Sequence, residues 1–154
     1  MSHPLISSYL DGASQLRAAV TGMSPEQLKA RPVAGKWSTL EVVAHIADFE
    51  PVYADRFMRV AALKKPILFS ADENEFAAKL DYQSRDLELE LRFIEAIRQR
   101  MAALLQRLPA ESFSFQGIHT EKGLVTLEQL LQSATNHIPH HAKFIQEKRK
   151  ALGV

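Results

Sequence analysis

The sequence predicts an all-α fold, a four-helix bundle with a long crossover between its second and third helices. Three observations lead there. Four stretches repeat apolar residues at the three- and four-residue spacing of an amphipathic helix. Three helix starts carry the capping-box pattern, Ser or Thr followed three residues later by Glu or Gln. About twenty residues separate the second apolar stretch from the third, enough for a connection that lets neighbouring helices run parallel. At 154 residues, 46% of them apolar, the chain is near the usual size of one domain, and one domain over residues 1–154 is expected.

The first helix is expected from about Pro4 to Val20, with Leu5, Tyr9, Ala13, Leu16 and Val20 inward. Ser24-Pro25-Glu26-Gln27 then starts a short helix, with Ser as cap and Pro at the first helical position, and Arg31-Pro32 stops it. The second long helix opens with Ser38-Thr39-Leu40-Glu41 and continues to about Leu63, with Val42, Ile46, Phe49, Tyr53, Phe57 and Val60 inward. Pro51 in this helix and Pro139 in the last one lie on polar sides, where proline kinks a helix rather than ending it. The crossover has a local helix start at Ser70-Ala71-Asp72-Glu73. The third long helix is expected from about Arg85, after Ser84, to Leu108 before Pro109. Leu87, Leu91, Ile94, Ile97, Met101 and Leu105 face the core. Leu89, Phe93 and Leu104 form a second stripe, which either the crossover or a second copy of the chain, as a homodimer, could cover. Residues 110–125, with Gly117 and Gly123, suit a hairpin-like loop. Thr126-Leu127-Glu128-Gln129 opens the last helix and Gly153 closes it.

Composition excludes several functions. A net charge of +1, with no Lys/Arg run interleaved with aromatic residues, offers no field for nucleic acid. Lys148-Arg149-Lys150 reads as cations at a helix C-terminus, favoured by the dipole. No stretch approaches the ~20 apolar residues of a membrane span and no secretory signal opens the chain, so a cytoplasmic location is expected. The absence of cysteine removes disulfides, thiolate ligands and a cysteine nucleophile.

Histidines carry the functional signal. His137 and His141 lie one turn apart at the edge of the apolar stripe Leu127, Leu130, Leu131, Ala134, Ile138 and Ile145 of the last helix. His45 flanks the stripe of the second helix, beside Phe49 and Val52. Buried neutral imidazoles need partners, and a shared cation about 2.0–2.1 Å from each ring nitrogen would satisfy all three. His140 points the other way, and His119 lies in the 110–125 loop, where a solvated role is the simpler reading.

Trp37-Ser38 followed by Glu41, His45 and Asp48, together with His137-Ile138-Pro139-His140-His141, resembles the DinB superfamily over almost the whole chain. The resemblance implies a four-helix bundle with a long crossover and a metal held by His45, His137 and His141. Pro139, between two of those histidines, is not demanded by the family's pattern. The family includes YfiT-like proteins, S-transferases that use bacillithiol or mycothiol, and members provisionally named metal-dependent hydrolases. It therefore fixes a site more closely than a reaction.

Three neutral imidazoles leave a divalent ion, zinc, nickel or iron, with an open position. Water bound there reaches a pKa of about 7, and a thiol loses its proton outright. Transfer of a low-molecular-weight thiol to a small electrophile held among Phe49, Val52 and the 110–125 loop ranks first. Hydrolysis ranks second, and a stress-associated metal-binding module without turnover third. Asp48, one turn after His45, is the candidate for orienting a ligand ring or moving a proton.

Overall fold

Capping chemistry sets the helix starts in the computed structural model, which describes residues 3–154. Helix α1 (Pro4–Val20) follows His3, whose ring accepts a hydrogen bond from the Leu5 amide. Ser24 with Gln27 and Ser38 with Glu41 close capping boxes at the heads of α2 (Pro25–Lys29) and α3 (Thr39–Ala62). Asp72 and Asp86 cap α4 (Glu73–Lys79) and α5 (Leu87–Leu105), and Thr126 with Gln129 closes the third box at the head of α6 (Leu127–Leu152). Each cap satisfies amide groups that a helix start leaves without partners, worth about 1 kcal/mol apiece.

The third long helix differs from its expected bounds for local reasons. Asp86, not Ser84, takes the Leu89 amide at 2.7 Å, so α5 starts at Leu87 while Tyr82–Ser84 forms one tight 3-10 turn. At the other end, Arg107 and Leu108 bond back to Leu104 and Leu105, a tightening that ends α5 before Pro109. Both long helices run through their prolines, Pro51 and Pro139, which are exposed.

The four long helices form a ring in which α1 and α3 each pack against both α5 and α6. Helices α1 and α3 are thus diagonal, and the second and fourth long helices, α3 and α6, are neighbours. Their stripes make two apolar clusters, one around Tyr9, Phe57, Met101, Leu105 and Leu131, the other around Leu16, Val43, Ile46, Ile94 and Ile138. The N-terminal part of α3 is buried on all sides, Thr39–Ala47, because α2 and the turn at Tyr82 cover the face that the bundle leaves free.

A polar network also lies inside the bundle. The Arg98 guanidinium, fully buried on α5, donates to Glu50 of α3 at 2.8 and 2.5 Å, to the Tyr9 carbonyl of α1 at 2.6 Å and to the Ala134 carbonyl of α6 at 3.0 Å. One side chain therefore ties all four long helices. Gly12 follows from it, since a Cβ there would stand 2.3 Å from an Arg98 nitrogen.

The connections add a small sheet that periodicity did not show. Strand β1 (Ile67–Leu68), from the crossover, pairs in parallel with β2 (Gln116–His119), which pairs antiparallel with β3 (Gly123–Thr126). The hairpin expected over residues 110–125 is present, preceded by a 3-10 turn at Ala110–Ser114. Leu89 and Phe93 stay exposed rather than covering the crossover, whereas Leu104 packs on the core. Among the described residues no helix is long and apolar enough to cross a membrane.

Candidate functional site

Helices α3 and α6 bring three imidazoles to one point. His45 Nε2 stands 3.0 Å from His137 Nε2 and 3.1 Å from His141 Nε2. Two nitrogens each about 2.0–2.1 Å from one ion, at about 95–110° to each other, lie about 3.0–3.4 Å apart, so both spacings from His45 would fit a single cation between the rings. Among the described residues these three are the histidine, cysteine and acidic side chains placed to hold a metal ion. Their protonation suits it. Burial pushes His45 down to about 4 and His141 down to about 3, with the neighbouring rings adding to the shift of His141. His137 is depressed as well, first by burial and then by His141 and His45. All three therefore offer lone pairs at neutral pH.

Away from the point of convergence, packing orients the rings. Each Nδ1 is buried without a protein partner, while His45 lies between Trp37 and Phe49, with ring centroids 5.2 and 4.6 Å away. His137 meets Tyr53 at 5.6 Å and His141 meets Phe144 at 5.9 Å.

Asp48 does not orient a ring. Its two oxygens accept from Arg85 at 3.2 and 3.1 Å, and Arg85 also binds Glu90 at 3.3 Å. Three residues beyond His45, Asp48 lies on the side of α3 turned to the start of α5, so it fastens the end of the crossover instead. His119 is corrected too: it sits buried on β2, its Nδ1 accepting from the Glu121 and Lys122 amides at 3.2 and 3.3 Å. His140 is exposed, its ring 5.1 Å from that of His141, and contributes no nitrogen to the convergence.

The triad borders an open cavity of about 520 Å³ whose walls include Trp37, Phe49, Glu73, His140, Phe144 and Lys148. Of the expected substrate wall Phe49 lines it, whereas Val52 and residues 110–125 do not, because the crossover occupies that side. Two residues here escaped the sequence reading. Glu73, first residue of α4, places a carboxylate oxygen 3.8 Å from His45 Nε2. Crossover residues carry no periodicity relative to the bundle, so nothing in the sequence signals this approach. Lys148 is buried and donates to the Phe144 carbonyl at 3.2 Å. Its signal was available: it stands two turns after His141 on the face of Ile138 and Ile145.

A pH dependence follows. Below about pH 6.5 the unfolded chain takes up protons on its histidines, whereas folded, metal-free His45 stays neutral until about pH 4. The unfolded state binds more protons in that window, so stability falls as pH falls. Chelator-treated protein is expected to melt at a clearly lower temperature at about pH 5 than at about pH 7. An unchanged melting temperature would mean that these rings charge freely within the fold.

Comparison with known proteins places this geometry. The model of the DinB superfamily matches residues 10–145. A Bacillus licheniformis protein provisionally named a metal-dependent hydrolase is 29% identical over 139 residues, 90% of this chain and 79% of the relative. A Geobacillus thermodenitrificans protein with the same provisional name is 31% identical over 145 residues, covering 90% of this chain and 78% of its own. The structure of YfiT from Bacillus subtilis, described as having an unusual four-helix bundle topology, superposes with a TM-score of 0.90 at 27% identity, covering 97% of this chain and 86% of that one. A mycothiol-dependent maleylpyruvate isomerase shares the fold at a TM-score of 0.71 and 13% identity, over 92% of this chain and 60% of that one. With a family match spanning most of its length, the chain belongs to the DinB superfamily.

Proposed function

We propose that the chain is a metal-dependent enzyme acting on a small electrophilic molecule, with hydrolysis as the reaction its site supports best. The observation that carries this reading is the Glu73 carboxylate beside the point where three imidazole nitrogens converge. A zinc, nickel or iron ion held by His45, His137 and His141 would supply Lewis acidity and lower the pKa of water sharing its coordination. Glu73, exposed at the head of α4, is the group placed to take the proton that water gives up. Trp37, Phe49 and Phe144 give the substrate apolar walls, and Lys36 and Lys148 on the same cavity offer positive charge to an acidic group or a developing oxyanion. The hydrolase names of relatives at 29% and 31% identity support the same reading.

Thiol transfer, which the sequence reading ranks first, becomes the second reading. An ion held by the three histidines would by itself acidify a thiol enough for solvent to take its proton, so Glu73 would have a smaller part in that reaction. What favours thiol transfer is room, since about 520 Å³ can take a small thiol and an electrophile together.

Glu73→Gln tests the choice. It is expected to lower kcat by about 10²- to 10³-fold in hydrolysis of an ester and amide panel, with metal stoichiometry unchanged. Turnover that requires an added thiol and is indifferent to Glu73→Gln would establish the second reading. Turnover by metal-free protein would overturn both.

A further inference from the structure

A second cavity, of about 350 Å³, is walled by α3, α6 and the β2–β3 hairpin, with Tyr53, Arg56, His119, Lys122, Gln129 and Ser133 in its lining. It shares only Tyr53 with the histidine cavity. The Tyr53 ring packs on His137, while its hydroxyl lies 3.2 Å from Ser133 Oγ on the other side.

Charge in this cavity is unbalanced. Arg56 is 9% exposed, and its one hydrogen bond runs from Nη2 to the Phe69 carbonyl at 2.7 Å, while Nε is buried without a partner. Among the described residues neither Arg56 nor Lys122 forms an ion pair. The adjacent Asp55 is taken by Arg59 at 2.7 Å, and Glu121, the other acidic neighbour of Arg56, stands outside ion-pair distance of it. A guanidinium stays charged in a protein, and holding part of it, here Nε, away from water without a counter-charge is costly.

His119 adds a directed donor. Because its Nδ1 accepts two backbone amides, its proton resides on Nε2, which donates to no protein group. A largely buried cation, an exposed lysine and an N–H donor thus border one open cleft with no acidic side chain in its lining.

We propose that this cavity binds the oxyanion group, carboxylate or phosphate, of a small molecule, with Arg56, Lys122 and His119 Nε2–H as its donors. The guanidinium supplies the geometry that both groups use, and the imidazole N–H selects a bound oxygen over bulk water. The assignment stands apart from the reaction at the histidine triad.

Inorganic phosphate and acetate, titrated separately into the full-length protein, test it through the His119 ring resonances and the melting temperature. At least one anion is expected to shift the His119 Nε2 signal saturably and to raise the melting temperature. Phosphate outcompeting acetate would identify a phosphate-bearing ligand, and the reverse order a carboxylate. Arg56→Met is expected to weaken binding about tenfold or more, and Lys122→Gln several-fold, while Arg59→Gln leaves it unchanged. Should Arg56→Met fail to fold, Lys122→Gln and His119→Gln carry the comparison. The proposal is overturned if neither anion moves the His119 resonances, or if binding persists undiminished in Lys122→Gln and His119→Gln.

Discussion

Replacement of His45 by alanine is expected to abolish both stoichiometric metal binding and turnover while leaving a folded bundle. His45 is the fully buried member of the triad and the one whose Nε2 lies within 3.1 Å of both others. Its loss leaves two nitrogens one turn apart on α6, too few to hold an ion firmly against water. The bundle survives because its cohesion comes from the apolar clusters that α3 joins through Val43, Ile46, Phe57 and Val60. Elemental analysis, activity and helical content measured together check this. His140→Ala supplies the contrast, since that exposed ring adds no nitrogen to the convergence and its removal is expected to leave metal stoichiometry intact. Equal losses in the two variants would place the metal elsewhere.

Arg98→Ala is expected to be the most destabilising single substitution in the chain, at about 3–5 kcal/mol. The guanidinium is fully buried, and removing it leaves the equally buried Glu50 carboxylate with only the Tyr9 hydroxyl at 3.3 Å. Against a typical total of about 5–15 kcal/mol, such a loss brings the bundle close to unfolding. Urea midpoints measure it. The pair replaced as Glu50→Met with Arg98→Met is expected to be more stable than Arg98→Ala alone, because no charge is then left unpaired. Gly12→Ala, which on an exposed helix would gain about 1 kcal/mol, is expected to destabilise, since its methyl group meets Arg98. If Arg98→Ala costs no more than about 1 kcal/mol, the network contributes little and the apolar clusters hold the four helices alone.

What was legible in the sequence was whatever repeats or caps. Ser24, Ser38 and Thr126 announced helix starts, and all six apolar residues expected inward on α6 between Leu127 and Ile145 are buried, with Thr135 enclosed beside them. The same wheel brought His137 and His141 to the edge that meets α3, which is why the meeting with His45 could be anticipated. Periodicity fails where burial is not governed by apolarity. Glu50 and Arg98 read as solvated charges on any hydropathy pattern, yet they occupy the interior because they satisfy each other and two helix carbonyls. It fails again where contacts depend on a chain path. Asp48 meets Arg85 across thirty-seven positions, Ile67 pairs with Ile118, and Glu73 arrives beside His45 from a segment with no pattern of its own. The first helix shows a milder error, since Ile6 rather than Leu5 is fully enclosed.

The division of labour between the bundle and α4 bears on how such a protein can diversify. Helix α4 contributes no buried residue to the core, whereas the histidines stand on helices that the core depends on. Mutations in α4 therefore escape the selection that foldability imposes on α3 and α6. A lineage could exchange Glu73 or its neighbours, and with them the range of molecules admitted, while its three convergent imidazole nitrogens stayed where they were. Members of one lineage would then share a centre and differ in what they turn over, with the divergence concentrated in a few residues of a connecting segment.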